Sequence, residues 1–220
     1  MVNVNKQDML LYVVTDRTWL GEHSLADQVE ESIRGGATFI QLREKNLLSM
    51  EFLREAKEIK AVTDRYHIPF IINDDVEVAL KAGADGVHIG QGDEDFKSVR
   101  EKLGKGKVIG LSVHTVEEAI RAEELGADYI GVGSVFTTTT KADAAPVAFD
   151  TLKSICDAVS IPVVAIGGIS KENILKLSGS GVDGVAVISA IFAQQEPLKA
   201  AKELLELSRQ MIKGSSRSYI

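Results

Sequence analysis

The chain has little cysteine to work with. Its 220 residues include one, Cys156, so no internal disulfide can form and a reducing compartment suits it. Cys156 lies in the apolar helical stretch "LKSICDAV", where a buried structural thiol is expected rather than a nucleophile. Long hydrophobic runs are also missing. None approaches the about 20 apolar residues that span a bilayer, and "MVNVNKQDM" lacks the basic start and apolar core of a signal peptide. A cytoplasmic location without a membrane partner is the expectation. Net charge is -7, with no basic stripe and no interleaved aromatics, which argues against nucleic acid but leaves room for a local basic pocket for a small anion. There is no Ser-His-Asp set, no activated Cys, no Cys/His zinc spacing and no dinucleotide fingerprint. Chemistry that positions a substrate and stabilises a departing anion fits this inventory better than a protein nucleophile.

What the chain does contain is alternation. Short β-rich apolar runs are expected as strands near residues 10–15, 38–42, 69–72, 86–89, 108–112, 129–132, 162–166 and 184–188. Helical patterns with apolar residues at three and four spacing lie between them, as in 116–125 and 198–211. That makes eight βα units. A weak repeat, "GATFI", "GADGV", "GADYI" and "GVDGV", begins at Gly36, Gly83, Gly126 and Gly181, each where a helix should stop. It recurs at every second strand, so pairs of βα units act as quarter-turns of one closed structure. The expected fold is a single-domain (β/α)8 TIM barrel over residues 1–213, with 214–220 as a disordered polar tail. A doubly wound sheet would show a Gly-rich turn after its first strand, and "VVTDR" stands there instead.

Ligands of such barrels bind at the C-terminal strand ends. Strand 2 ends in "QLREK", with Gln41 and Arg43 on one face and Lys45 beyond. Strand 3 ends in Asn73 and Asp74. Strand 4 runs through His88 to "GQGD" and Asp93, strand 5 ends at Ser112, and strands 7 and 8 end in "IGGIS" and "VISA". Bland readings exist for each. Arg43 and Lys45 could pair with Glu44 or Asp74 at the rim, Asp93 could cap the fourth helix, His88 could be an interior hydrogen-bonding residue, and the glycines could serve packing. Jointly, two carboxylates at adjacent strand ends with two cations one strand away suit a magnesium ion holding a diphosphate. The loops after strands 7 and 8 offer backbone N–H groups for a second phosphate. Of the three polar residues in "INDD", Asp75 is left as the helix cap.

These pieces in this order resemble the thiamin phosphate synthase family. The likeness runs from "LYVVTDR" through "QLREK", "INDDVEVALKAGADGVHIGQGD", "GLSVHTVEEAIRAEELGADYIGVGSVF", "TTTTK" and "IPVVAIGGIS" to "GVAVISAI". It implies coupling of hydroxymethylpyrimidine diphosphate to hydroxyethylthiazole phosphate, with pyrophosphate leaving first and the thiazole nitrogen capturing a pyrimidine methylene cation. By matching position, the pyrimidine diphosphate is held by the segment Gln41, Leu42, Arg43, Glu44 and Lys45, with Asn73, Ser112 and Lys141. Thr138, Thr139, Thr140, Gly168, Ile188 and Ser189 hold the thiazole phosphate. Asp74 and Asp93 bind one Mg²⁺, and Ser112, Lys141 and Arg43 are the catalytic groups. The loop after strand 6 is expected to close over the substrates. Thr137 stands where the family usually has Pro, and Ala148 where it usually has Gly. A thiazole tautomerase of the same fold and a non-catalytic phospholigand-binding barrel are the alternatives. The partners implied are two phosphorylated small molecules, and a homo-oligomer is compatible.

Overall fold

A computed structural model of the chain describes residues 4–21, 23–45, 47–137 and 146–213. Eight parallel strands close on themselves in sequence order. They are β1 (Leu11–Val14), β2 (Phe39–Leu42), β3 (Phe70–Asn73), β4 (Gly86–Ile89), β5 (Val108–Val113), β6 (Tyr129–Gly133), β7 (Val163–Ile166) and β8 (Gly184–Val187). Around them lie α1 (Leu25–Arg34), α2 (Ser49–Tyr66), α3 (Val76–Ala82), α4 (Phe96–Leu103), α5 (Val116–Leu125), α6 (Phe149–Ala158), α7 (Ser189–Phe192) and α8 (Pro197–Lys213). The expected TIM barrel is the fold found. No helix among the described residues is long and apolar enough to cross a membrane.

The seventh unit differs from the sequence expectation. Its crossover holds only a 3-10 turn, Ile174–Leu177. Before that turn, the Asn173 side chain accepts from Ser170 N at 2.8 Å and donates to Gly168 O at 2.8 Å. These bonds shape the loop at the mouth, and the chain then makes a single 3-10 turn in place of a helix. The long α8, placed after β8, packs over this turn.

Strand alternation sorts side chains into two cores. Outward residues such as Ile40, Leu42, Phe70 and Ile72 join the helices in one cluster. Inward residues, among them Tyr12, Phe39, Ile71, Val108, Tyr129 and Val164, fill the barrel together with Val4 and Met9. Those last two bring the N-terminal turn, Lys6–Met9, up as a floor. Cys156 is wholly buried in the outer core, as expected of a structural thiol.

The repeat has a physical basis. Its glycines all take positive φ, at +109, +72, +87 and +91 degrees for Gly36, Gly83, Gly126 and Gly181, which L side chains rarely tolerate. Its third residue ties each even strand to the odd strand before it. Thr38 Oγ1 accepts from Leu11 N at 2.9 Å, Asp85 from Phe70 N at 2.9 Å, Asp128 from Ile109 N at 2.8 Å and Asp183 from Val163 N at 2.9 Å. Four side-chain clips thus satisfy strand-start N–H groups that the ladder leaves unpaired.

Candidate active site

The mouth at the C-terminal strand ends opens on a cavity of about 430 Å³, within the range of small-molecule sites. Gln41, Arg43, Asn73, Ser112, Gly168, Ile188 and Ser189 all line it. They come from five different strands or the loops that follow them, and the period of two turns each strand residue inward. On the β6–β8 side, Gly131, Gly133, Gly167 and Ala186 leave the wall low.

At the β2 end, Arg43 is anchored by its backbone N–H, which donates to Thr15 Oγ1 at 3.0 Å. Among the described residues neither Arg43 nor Lys45 forms an ion pair, and Glu44 pairs instead with Arg17 at 2.9 Å. The rim-network reading of Arg43 and Lys45 therefore finds no support in the contacts. Of the five residues in "QLREK", only Gln41 and Arg43 reach the cavity. Leu42 faces the outer core, so only its backbone is available to the mouth, and Lys45 is exposed beyond it.

At the β3 end the three polar residues take three positions. Asp75 is the N-cap of α3 and accepts from Val78 N at 2.8 Å. Asn73 faces the cavity and donates to Asp74 Oδ2 at 2.5 Å. Asp74 adopts φ +63 degrees, a left-handed conformation open to Asp and Asn, and donates its N–H to His88 O at 2.9 Å. Asp93 accepts from Gly90 N at 2.6 Å, while the cap of α4 is Asp95. Capping thus does not account for Asp93. Both carboxylates are exposed beside lining residues of adjacent strand ends. Among the described residues no group of three or more His, Cys, Asp or Glu gathers as a metal cluster.

Across the barrel interior runs a chain of polar contacts that the sequence did not announce. Gln41 Nε2 lies 2.8 Å from Tyr12 OH, Tyr12 OH 2.8 Å from Tyr129 OH, Tyr129 OH 2.8 Å from His88 Nδ1, and His88 Nε2 2.9 Å from Ser112 Oγ. Burial pushes both phenols to higher pKa, so each remains a neutral O–H. His88 is thus the hydrogen-bonded interior residue its strand position allowed, and it also lines the cavity. Tyr12, Gln91 and His114 line it too. Tyr12 was legible as the inward residue two before Val14, but nothing local marks it as a partner of Tyr129.

At the opposite wall, Gly168 has φ +65 degrees, and a Cβ there would lie 2.4 Å from Thr137 O. Phe136 N donates to Gly167 O at 3.0 Å, and Val147 N to Ser134 O at 2.7 Å. The loops after β6 and β7 are therefore laced together at the mouth. Ala148 caps α6 at φ -64 degrees, where glycine is not required. Ser189 opens α7 beside Ile188. Thr138, Thr139, Thr140 and Lys141, within the 138–145 part of the expected closing loop, lie outside the described residues, as does 214–220.

The family described as thiamine monophosphate synthase matches residues 11–191. The thiamine-phosphate synthase of Ruminiclostridium cellulolyticum is 47% identical over 203 residues, covering 92% of this chain and 97% of that protein. That of Clostridium tetani is 49% identical over 197 residues, covering 90% and 94%. The solved thiamine phosphate pyrophosphorylase from Pyrococcus furiosus superimposes with a TM-score of 0.87 at 40% identity, over 94% of this chain and 98% of that one. With a matching family that spans most of the barrel and relatives of nearly equal length, the chain belongs to the thiamine monophosphate synthase family.

Proposed function

We propose that this chain is a thiamine-phosphate synthase, joining hydroxymethylpyrimidine diphosphate to hydroxyethylthiazole phosphate with release of pyrophosphate. The observation that carries the reading is the two-ended mouth. Arg43, Asn73 and Ser112 stand on one side of a single cavity, and Gly168, Ile188 and Ser189 on the other. Relatives named for this activity match the chain over nearly its whole length. No observation favours a tautomerase or a non-catalytic barrel.

In this reading Arg43 binds the diphosphate, and Lys45 and Lys141 add positive charge to it. Gln41, Asn73 and Ser112 orient the pyrimidine so that its exocyclic C–O bond can break. The backbone N–H groups near Gly168 and Ser189, with Thr138, Thr139 and Thr140, hold the thiazole phosphate and aim the ring nitrogen at the carbon left behind. Forming a quaternary nitrogen removes no proton from it, so no general base is needed.

Asp74 and Asp93 fit a Mg²⁺ ion. Two exposed carboxylates at neighbouring strand ends match an ion that takes one or two carboxylates and completes its shell with water and phosphate oxygens. When bound, the ion offsets the charge that grows on the leaving diphosphate. The test is to incubate the protein with both substrates and Mg²⁺ and to measure pyrophosphate and thiamin phosphate. Stoichiometric appearance of the two is expected, and absence of both refutes the reading.

A further inference from the structure

We infer that His88, Tyr129 and Tyr12 are positioning residues that set the sense of the interior hydrogen-bond chain, making Ser112 a donor and Gln41 an acceptor towards the ring bound in the cavity. The inference rests on the proposed function only for the identity of that ring.

The sense follows from donor counting. The Gln41 amide turns its nitrogen to Tyr12 OH, and an amide nitrogen can only donate. Tyr12 then spends its one proton on Tyr129 OH, and Tyr129 spends its own on His88 Nδ1. An Nδ1 that accepts belongs to the neutral imidazole with its proton on Nε2. That Nε2–H donates to Ser112 Oγ. The Ser112 proton is left for the cavity that Ser112 lines, and at the other end the Gln41 carbonyl oxygen is left for the same cavity. The site thus presents a donor from β5 and an acceptor from β2. A ring with a lone-pair nitrogen on one edge and an amino group on another matches that pair.

Two glycines show that the fold makes room for this chain. A Cβ on Gly110 would lie 2.1 Å from Tyr129 Cζ, and one on Gly131 would lie 3.2 Å from His88 Cε1. The Ser112 backbone is held as well, its carbonyl accepting from Gln91 Nε2 at 2.7 Å. Rotating the Gln41 amide by half a turn would reverse every step and put the imidazole proton on Nδ1. The two senses are therefore mutually exclusive, and the His88 tautomer reports which one holds.

The experiment is a long-range ¹H–¹⁵N spectrum of the ¹⁵N-labelled full chain, with the His88 signals assigned by their loss in His88→Asn. The expected result is a pyrrole-type Nε2 and a pyridine-type Nδ1 in the wild type. Tyr129→Phe, which leaves Nδ1 without the phenol, should give averaged shifts. The activity arm compares pyrimidine diphosphate with an analogue whose ring nitrogens are replaced by C–H. Wild type should prefer the true substrate in kcat/KM, and Tyr129→Phe should shrink that preference about tenfold, the worth of one well-placed hydrogen bond. A wild-type Nδ1–H tautomer, averaged wild-type shifts, or an unchanged preference in a folded Tyr129→Phe would each overturn the inference. Should Tyr129→Phe fail to fold, Tyr12→Phe serves in both arms, and the wild-type tautomer decides the sense in any case. A protein that releases no pyrophosphate at all would defeat the proposed function, while the spectrum would still decide the chain.

Discussion

Arg17 and Glu55 are joined across the rim of the barrel, the guanidinium in the turn after β1 and the carboxylate on α2, and Glu44 shares that guanidinium at 2.9 Å. The group ties the loop that carries Arg43 and Lys45 to the helix behind it. Burial, followed by the hydrogen bond and charge of Glu44, raises the Glu55 pKa to about 7 against the pull of Arg17. A raised acid pKa means that the folded state holds a proton the unfolded chain releases. The resulting stability is fully present below the ordinary carboxylate pKa and is lost as pH rises from about 4.5 to about 7. Wild type should therefore lose stability relative to Glu55→Gln across that window, by on the order of 3 kcal/mol for the full shift. Melting temperatures of both proteins at closely spaced pH values check this, and parallel curves would contradict it.

Asp74→Asn and Asp93→Asn should each lower turnover by orders of magnitude with little change in melting temperature, because both side chains are exposed at the mouth. Asn tolerates the left-handed backbone at Asp74, so the first substitution removes charge without strain. Wild-type turnover should also vanish in excess chelator. Persistent pyrophosphate release under chelation would remove the metal from the scheme.

Ser112→Ala should slow bond breaking within a single turnover while sparing stability. The hydroxyl lines the cavity and bonds His88 at 2.9 Å, whereas the residue is only partly buried. Rapid-quench measurement of pyrophosphate formation separates this step from binding. If only affinity for the thiazole phosphate changed, Ser112 would belong to the other substrate.

Gly168→Ala should hurt both stability and thiazole phosphate use. The new Cβ would meet Thr137 O at 2.4 Å in a backbone of φ +65 degrees, a conflict of about 1–3 kcal/mol. A raised KM for the thiazole phosphate, with a smaller change for the pyrimidine, is the expected kinetic signature.

Asp183→Ala should cost stability alone. It removes the acceptor of Val163 N at the opposite end of the barrel, leaving a buried N–H unsatisfied at a cost of about 1–3 kcal/mol. Denaturant unfolding should show that loss, while kcat per folded molecule stays at the wild-type value.

Much of this molecule is determined locally. The strand positions, α5 and the stop glycines follow from periods of two and 3.6 and from the need for positive φ. The same is true of Asp75 as cap, since an N-cap bond spans three residues. The inward set Gln41, Asn73 and Ser112 is also legible, because alternation within one strand decides the face. What the tertiary structure decided are the contacts between strands far apart in the chain. Tyr12 and Tyr129 meet across 117 positions, and His88 finds Ser112 only through the β4–β5 register that pairs His88 with Gly110. Arg17 gathers Glu44 and Glu55 only once the turn after β1 lies beside α2. The 3-10 turn of the seventh unit belongs to the same class, with the distant α8 packed over it. Local periodicity says which way a side chain points, and only the closed barrel says what it meets there.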